Sequence, residues 1–224
     1  MRLRFFSLLL LAVSTAASAA GEVLVIETRT LPQSQLPAPA NASHDLRLTL
    51  YAFVGTRWRT ADIMESVQEA LPMLAQCGIA VAGVELRLLN APPKYHIYTV
   101  PVARELMREI TVTRPAVFFV DDTHSEPAYD AEAIGLSNAR TRPELANTIW
   151  FAYGARDLPV ALAHELVHVL SDNGEHSEGP DNLMNPQTSR SRTRLTEAQC
   201  NRLRAVAEPN GLITRRVAAG APRK

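Results

Sequence analysis

The sequence HELVH at residues 164–168 decides how this chain is interpreted. Residues four apart lie on one face of an α-helix, so His164 and His168 are neighbours and Glu165 lies beside them. The surrounding residues 158–170 are otherwise apolar, which is typical of a buried helix. Two imidazoles and a carboxylate in such a helix need partners, and a metal ion supplies them. The pattern therefore predicts a metal-binding helix.

A catalytic zinc ion needs a third protein ligand and keeps one position open for water. Asp172 continues the four-residue spacing, but along a straight helix it would lie about 12 Å from His164, too far to share one ion. The sequence SDNG at residues 171–174 is typical of a helix end, because glycine permits a left-handed turn. His176 follows this turn and can point back at the metal, although it could also be an ordinary surface histidine. We predict His164, His168 and His176 as the zinc ligands.

The sequence NLMNP at residues 182–186 extends this motif. Together, HELVH, a glycine turn, a further histidine and NLMNP resemble the metzincin clan of zinc endopeptidases. The resemblance implies zinc as the cofactor, a peptide or protein as the substrate, and Met184 in a methionine turn under the zinc. It also implies that Glu165 is the general base, which takes a proton from water and later delivers it to the leaving amine.

The chain also departs from the clan's pattern. The resemblance covers residues 44–210 in the order of elements, but only residues 164–186 in motif. The clan places glycine three and histidine six residues after the second ligand, whereas Gly174 and His176 follow His168 by six and eight residues. We therefore expect a longer and differently shaped turn before the third ligand.

Two alternatives remain open on the sequence alone. A zincin of another clan would use Glu197, in the helix after these motifs, as its third ligand. A binding or regulatory module would keep the fold and the metal without turnover. The presence of Glu165 favours an enzyme, because a purely structural zinc site has no use for a general base.

Residues 1–19 have the pattern of a secretory signal peptide, so we expect a secreted or periplasmic protein. Arg2 and Arg4 precede an apolar run, and the small residues ASA at 17–19 fit a cleavage site. Removal of these residues takes two arginines from the 23 basic side chains and leaves 21 against 23 acidic ones. This near balance argues against nucleic-acid binding. No later stretch is long and apolar enough to be a membrane anchor.

The remaining patterns predict one α/β (α+β) domain of the zincin type. Residues 20–43 are rich in proline and small polar residues and are predicted to be a linker, followed by the catalytic domain at 44–212 and a flexible basic tail at 213–224. We predict a mixed twisted sheet, a long first helix with Thr60 as its N-cap, the active-site helix and a C-terminal helix. Strands are predicted at residues 46–52, 81–89, 116–120, 133–137 and 148–153, and a short helix at 102–110.

Cys77 and Cys200 are the two cysteines of the chain, and in an oxidising compartment they most simply form one disulfide. Two buried free thiols are the alternative. Cys200 lies in the C-terminal helix, which Thr196 and Gln199 open with the pattern of a capping box. A disulfide would therefore tie the first long helix to the last. We expect a monomer.

Two weaker signals complete the prediction. Asp121, Asp122, His124 and Glu126 could bind a structural calcium or a second zinc, but a solvated turn after a strand is the expected interpretation. In the layout of the metzincin clan, the predicted edge strand Ala133–Ser137 would lie beside the cleft. There it could pair with an extended peptide substrate.

Overall fold

A strand that is buried on both faces forms the centre of the fold. The computed structural model describes residues 22–123, 133–136 and 141–216, and in it β2 spans His44–Phe53. This strand has a parallel partner on each side, β3 (Ile79–Asn90) and β5 (Ala116–Val120). Parallel strands need crossover connections, which cover both faces of the sheet with helices.

The sheet is mixed because its outer strands run antiparallel to their neighbours. The further strands are β1 (Leu24–Thr30), β4 (Ile97–Tyr98), β6 (Asp122–Thr123), β7 (Ala133–Leu136), β8 (Thr148–Ala152) and β9 (Ile213–Arg215). Within the described residues, the main sheet has the order β1–β3–β2–β5–β8–β7, and β9 pairs with the start of β2. The short strands β4 and β6 form a separate parallel pair. The predicted edge strand is therefore confirmed as β7, which lies at the end of the sheet next to β8.

Helices cover the two faces of this sheet. Helices α1 (Thr60–Ala75) and α3 (Leu158–Ser171) share one apolar core with the inward side chains of β2, such as Leu48 and Leu50. Helix α4 (Glu197–Ala207) contributes Leu203 to the same core. Helix α3 thus lies against the sheet with α1 and α4 as neighbours.

An aromatic layer fills the opposite face. Tyr51, Phe118 and Trp150 come from three adjacent strands, and their rings stack with centroids 4.6 and 4.2 Å apart. Helix α2 (Val100–Glu109) packs over this layer through Ala103 and Leu106. The predicted α+β class, with a long first helix, an apolar histidine helix and a C-terminal helix, is confirmed.

The predicted domain boundaries are too narrow at both ends. The sequence predicts a linker over residues 20–43, but residues 24–30 form β1 and pair with β3. All seven side chains of β1 are exposed, so burial imposes no alternating pattern that would reveal the strand. The sequence also predicts a tail from residue 213, but residues 213–215 form β9 beside β2. Residues 1–19 and 217–224 lie outside the described residues.

The predicted disulfide is confirmed. Cys77 and Cys200 are bonded, with 4.8 Å between their Cα atoms. The bond joins the turn after α1 to the first half of α4, and Thr196 and Gln199 form the predicted capping box at the start of α4. A smaller prediction is wrong, because Arg59 rather than Thr60 is the N-cap of α1. None of the described helices has the length and apolar character that a membrane span requires.

Candidate metal centre

Helix α3 carries two of the three predicted ligands and ends in a sharp reversal of the chain. Pro159 lies in its first turn, where the missing N–H removes no helical hydrogen bond. At the other end Asp172 adopts the left-handed conformation, with φ 44°, that the sequence analysis assigned to Gly174. Aspartate tolerates this region better than most residues. The N–H of Asn173 then donates to the carbonyl of His168, so the chain folds back towards the helix.

The reversal brings three imidazole rings together. Nε2 of His168 lies 2.9 Å from Nε2 of His164 and 3.3 Å from Nε2 of His176. The ligand atoms of all three residues lie within 4.8 Å of one another. Nitrogens that share one tetrahedral zinc ion, each about 2.0–2.1 Å from it, are themselves separated by roughly 3.3 Å. The spacing of the rings therefore fits a single metal ion.

Backbone carbonyls fix the orientation of the two helical histidines. Nδ1 of His164 lies 2.7 Å from the carbonyl oxygen of Leu183, and Nδ1 of His168 lies 2.5 Å from that of Asn173. A carbonyl oxygen only accepts, so each Nδ1 carries the proton and donates it. Each neutral ring then presents a lone pair at Nε2. Two lone pairs at 2.9 Å repel each other unless a cation lies near both, so the donor set fits a metal.

Burial keeps these two rings neutral. Burial is the main reason that the pKa of His164 is lowered to about 4; the Leu183 carbonyl opposes the shift, and the neighbouring His168 and His176 add to it. Burial likewise lowers the pKa of His168. His176 differs from both because its side chain is exposed. The two helical histidines are thus in the form that can bind a metal at neutral pH.

Glu165 lies next to His164 on the helix and is only partly buried. Its desolvation raises the pKa of the carboxyl group to about 7. A carboxyl group with such a pKa can take up and release a proton near neutrality, as a general base and acid must. The role of Glu165 as a general base stays a prediction.

A turn at residues 182–184 makes hydrogen bonds to the region of the three histidines. Leu183 supplies the carbonyl that orients His164. The carbonyl of Met184 accepts a hydrogen bond of 2.8 Å from the N–H of Ser177, the residue after His176. Met184 is buried, and together with His176 it lines a cavity of about 210 Å³. The sequence analysis missed these backbone contacts, because a carbonyl group has no residue signature.

The other predicted candidates are not part of the histidine group among the described residues. Within the described ranges, the only group of histidine, cysteine or acidic residues with metal-site spacing is the histidine triad. It includes neither Asp172 nor Glu197, which is exposed at the start of α4. Asp121 instead accepts hydrogen bonds from Arg57, at 2.9 Å from its backbone N–H. His124 and Glu126 lie outside the described residues.

Among the comparisons with known proteins, the likeness in fold comes from solved structures. No protein-family profile matches the chain, and no curated protein matches it. A solved structure titled "Crystal Structure of metalloproteinase-II from Bacteroides fragilis" is similar, with 19% sequence identity and a TM-score of 0.53. The similarity covers 77% of this chain and 56% of the Bacteroides chain, so this chain matches little more than half the length of that protein. The two chains share a fold over this region.

Proposed function

We propose that this protein is a zinc-dependent endopeptidase that works outside the cytosol. One observation carries the proposal: three histidine Nε2 atoms converge, and in His164 and His168 the other nitrogen is bonded to a backbone carbonyl. Neutral imidazoles are good ligands for zinc, and three protein ligands leave a position open for water. His164, His168 and His176 would hold the ion.

The zinc ion and Glu165 would have different tasks in peptide hydrolysis. When bound, zinc acts as a Lewis acid towards water and the scissile carbonyl. Glu165 follows His164 on α3, and its carboxylate would take a proton from the attacking water. The same group, now protonated, would donate that proton to the leaving amine. Met184 would form a buried floor rather than a ligand, because its side chain is buried and lines the same cavity as His176.

The strand β7 and the disulfide support the rest of the proposal. β7 is an edge strand that pairs only with β8 among the described residues, and an extended peptide could add to its free edge. A disulfide between Cys77 and Cys200 is expected in an oxidising compartment, which agrees with export by the predicted signal peptide at residues 1–19.

The alternatives have less support. Glu197 as third ligand is not favoured, since it is not part of the histidine group. A binding module without turnover would have no need for a carboxyl group whose pKa is raised to about 7 beside the ligands. Turnover is therefore the property that the decisive experiment has to measure.

The test compares zinc content and peptide cleavage in wild type, Glu165→Gln, His176→Ala and Glu197→Ala. We expect Glu165→Gln to retain zinc but to lose about 10²- to 10⁴-fold in kcat on a peptide library, the usual contribution of a general base. His176→Ala should bind zinc more weakly. Glu197→Ala is the matched control and should resemble wild type in both measurements.

Three outcomes would contradict the proposal in different ways. Zinc-loaded wild type that cleaves no peptide would favour a binding module. Unchanged zinc affinity in His176→Ala would exclude the third ligand. Loss of zinc in Glu197→Ala would favour the alternative that the protein is a zincin of another clan with Glu197 as its third ligand.

A further inference from the structure

The turn at residues 182–184 is hydrogen-bonded to His164 and to the residue that follows His176. The Leu183 carbonyl accepts from Nδ1 of His164, at 2.7 Å. The Met184 carbonyl accepts from the N–H of Ser177, at 2.8 Å, and Ser177 follows His176 directly. A displacement of this one turn would therefore move the ring of His164 and the backbone beside His176 together.

Two side-chain amides hold this turn. Nδ2 of Asn182 donates to Oε1 of Gln199, and Nε2 of Gln199 donates back to Oδ1 of Asn182, each at 3.1 Å. Oδ1 of Asn182 also accepts from the N–H of Met184, at 2.9 Å. Asn182 is only 5% exposed, so these hydrogen bonds face little competition from water. We name Asn182 and Gln199 the amide pair.

The amide pair is itself fixed at its far end. Oε1 of Gln199 accepts from the backbone N–H of Thr196, and the Thr196 hydroxyl accepts from the N–H of Gln199, which completes the capping box of α4. The next residue, Cys200, is covalently joined to Cys77. Gln199 therefore presents its amide to Asn182 from a rigid part of the molecule.

We propose that Asn182 and Gln199 are positioning residues that set the metal affinity of the centre through the turn at residues 182–184. The proposal rests on the proposed zinc site, since it concerns how that site is oriented. Groups that orient a metal-binding histidine typically change metal affinity by about 10- to 100-fold when removed. Here the orienting group is a backbone carbonyl, and the amide pair fixes the place of that carbonyl.

The experiment measures zinc affinity by chelator competition, together with the visible absorption spectrum of the cobalt-substituted protein. We expect about 10-fold weaker zinc binding and an altered cobalt spectrum in both Gln199→Ala and Asn182→Ala. The double variant should resemble Asn182→Ala alone, because two partners of one interaction act as a unit.

Thr196→Ala is the matched control. It removes the hydroxyl of the capping box and destabilises α4, but it leaves both hydrogen bonds of the amide pair in place. Its zinc affinity should lie within twofold of wild type, even if its unfolding midpoint falls as far as that of Gln199→Ala.

The outcomes separate this proposal from the one before it. Wild type that binds no zinc would overturn the metal site itself. Zinc-binding wild type with Gln199→Ala and Asn182→Ala within twofold of its affinity would overturn the positioning role alone. Equal loss of affinity in Thr196→Ala would also overturn it, because general loosening of α4 would then explain the effect.

Discussion

The two sources of the histidine triad differ in how they are built. Helix α3 supplies His164 and His168 from regular backbone, and ten of its 14 residues are buried. The segment at residues 172–196 supplies His176 and contains no helix or strand, only one isolated bridge between Asn182 and Arg194. One source is placed by apolar packing and the other by individual contacts with distant parts of the chain.

The contrast shows which interactions control each ligand. Local helix geometry already sets the spacing of His164 and His168. The segment depends on side chains from elsewhere, and Gln76 is an example: its amide donates to the Thr193 carbonyl at 2.8 Å and accepts from the N–H of Leu195 at 2.8 Å. Gln76 directly precedes Cys77, so the hydrogen bonds that hold the end of the segment lie next to the disulfide to α4.

Removal of the disulfide should give the largest effect on stability. Replacement of both cysteines, in Cys77→Ser with Cys200→Ser, releases a cross-link between residues separated by 123 positions. Loops on the order of 100 residues correspond to roughly 4–5 kcal/mol of unfolding free energy in the chain-entropy description. Urea unfolding of the metal-free protein measures the loss, and wild type under strong reductant is the control. A loss below about 1 kcal/mol would mean that packing alone holds α4.

In the metal-free protein, alanine substitution of a histidine on α3 should lower the unfolding free energy more than alanine substitution of the histidine in the segment at residues 172–196. His164→Ala removes a ring that is 4% exposed and leaves the buried Leu183 carbonyl without its donor, so we expect a loss of about 1–3 kcal/mol. His176→Ala removes an exposed ring and should change the unfolding free energy by less than about 0.5 kcal/mol. Chemical unfolding measures both losses. Equal losses of unfolding free energy in His164→Ala and His176→Ala would contradict the view that packing holds the helical histidine more firmly than the histidine of the segment.

The smallest expected effect concerns the end of the chain, where Glu208 joins α4 to β9 and β2. Hydrogen bonds from Arg215 and then His44 lower the pKa of Glu208 from 4.5 to about 2. A lowered folded-state pKa stabilises the protein above pH 4.5, and this stabilisation is lost as the pH falls towards 2. The stability difference between wild type and Glu208→Gln should therefore shrink on acidification through this window.

Acid unfolding monitored by circular dichroism tests this expectation. Added salt should narrow the difference above pH 4.5, because Glu208 and Arg215 are both accessible to solvent. A difference between the two proteins that stays constant from pH 6 to pH 2 would show that Glu208 contributes through packing rather than charge.

The sequence was sufficient for elements that carry their own burial pattern. Helix α1 is an example: Ile63, Val67, Leu71 and Leu74 follow the helical repeat in the sequence, and all four side chains are buried. The strands β1 and β9 were missed because their existence depends on partners: β1 is wholly exposed, and β9 has three residues. Pairing with β3 and β2 decides their structure, and such long-range contacts leave no local pattern.

In the candidate site, too, the local features could be predicted from the sequence and the long-range contacts could not. The spacing of His164, Glu165 and His168 is local and was readable from the chain. The place of His176 required a guess about the turn, and the structure brings it to the other two rings through Asp172 in the left-handed conformation. The contact between Asn182 and Gln199 was not anticipated, since each residue also has an ordinary local explanation in a turn or a helix cap.

Strand β9 also imposes an order in time on the making of this protein. Arg215 pairs with His44, so the sheet closes only when residues near the two ends of the domain meet. A ribosome adds residue 215 late, and contacts over such a separation form slowly compared with local ones. The sheet would therefore remain incomplete until residues 213–215 had been added and had paired with β2. The histidine helix, complete by residue 171, would then exist before the sheet below it had received its last strand.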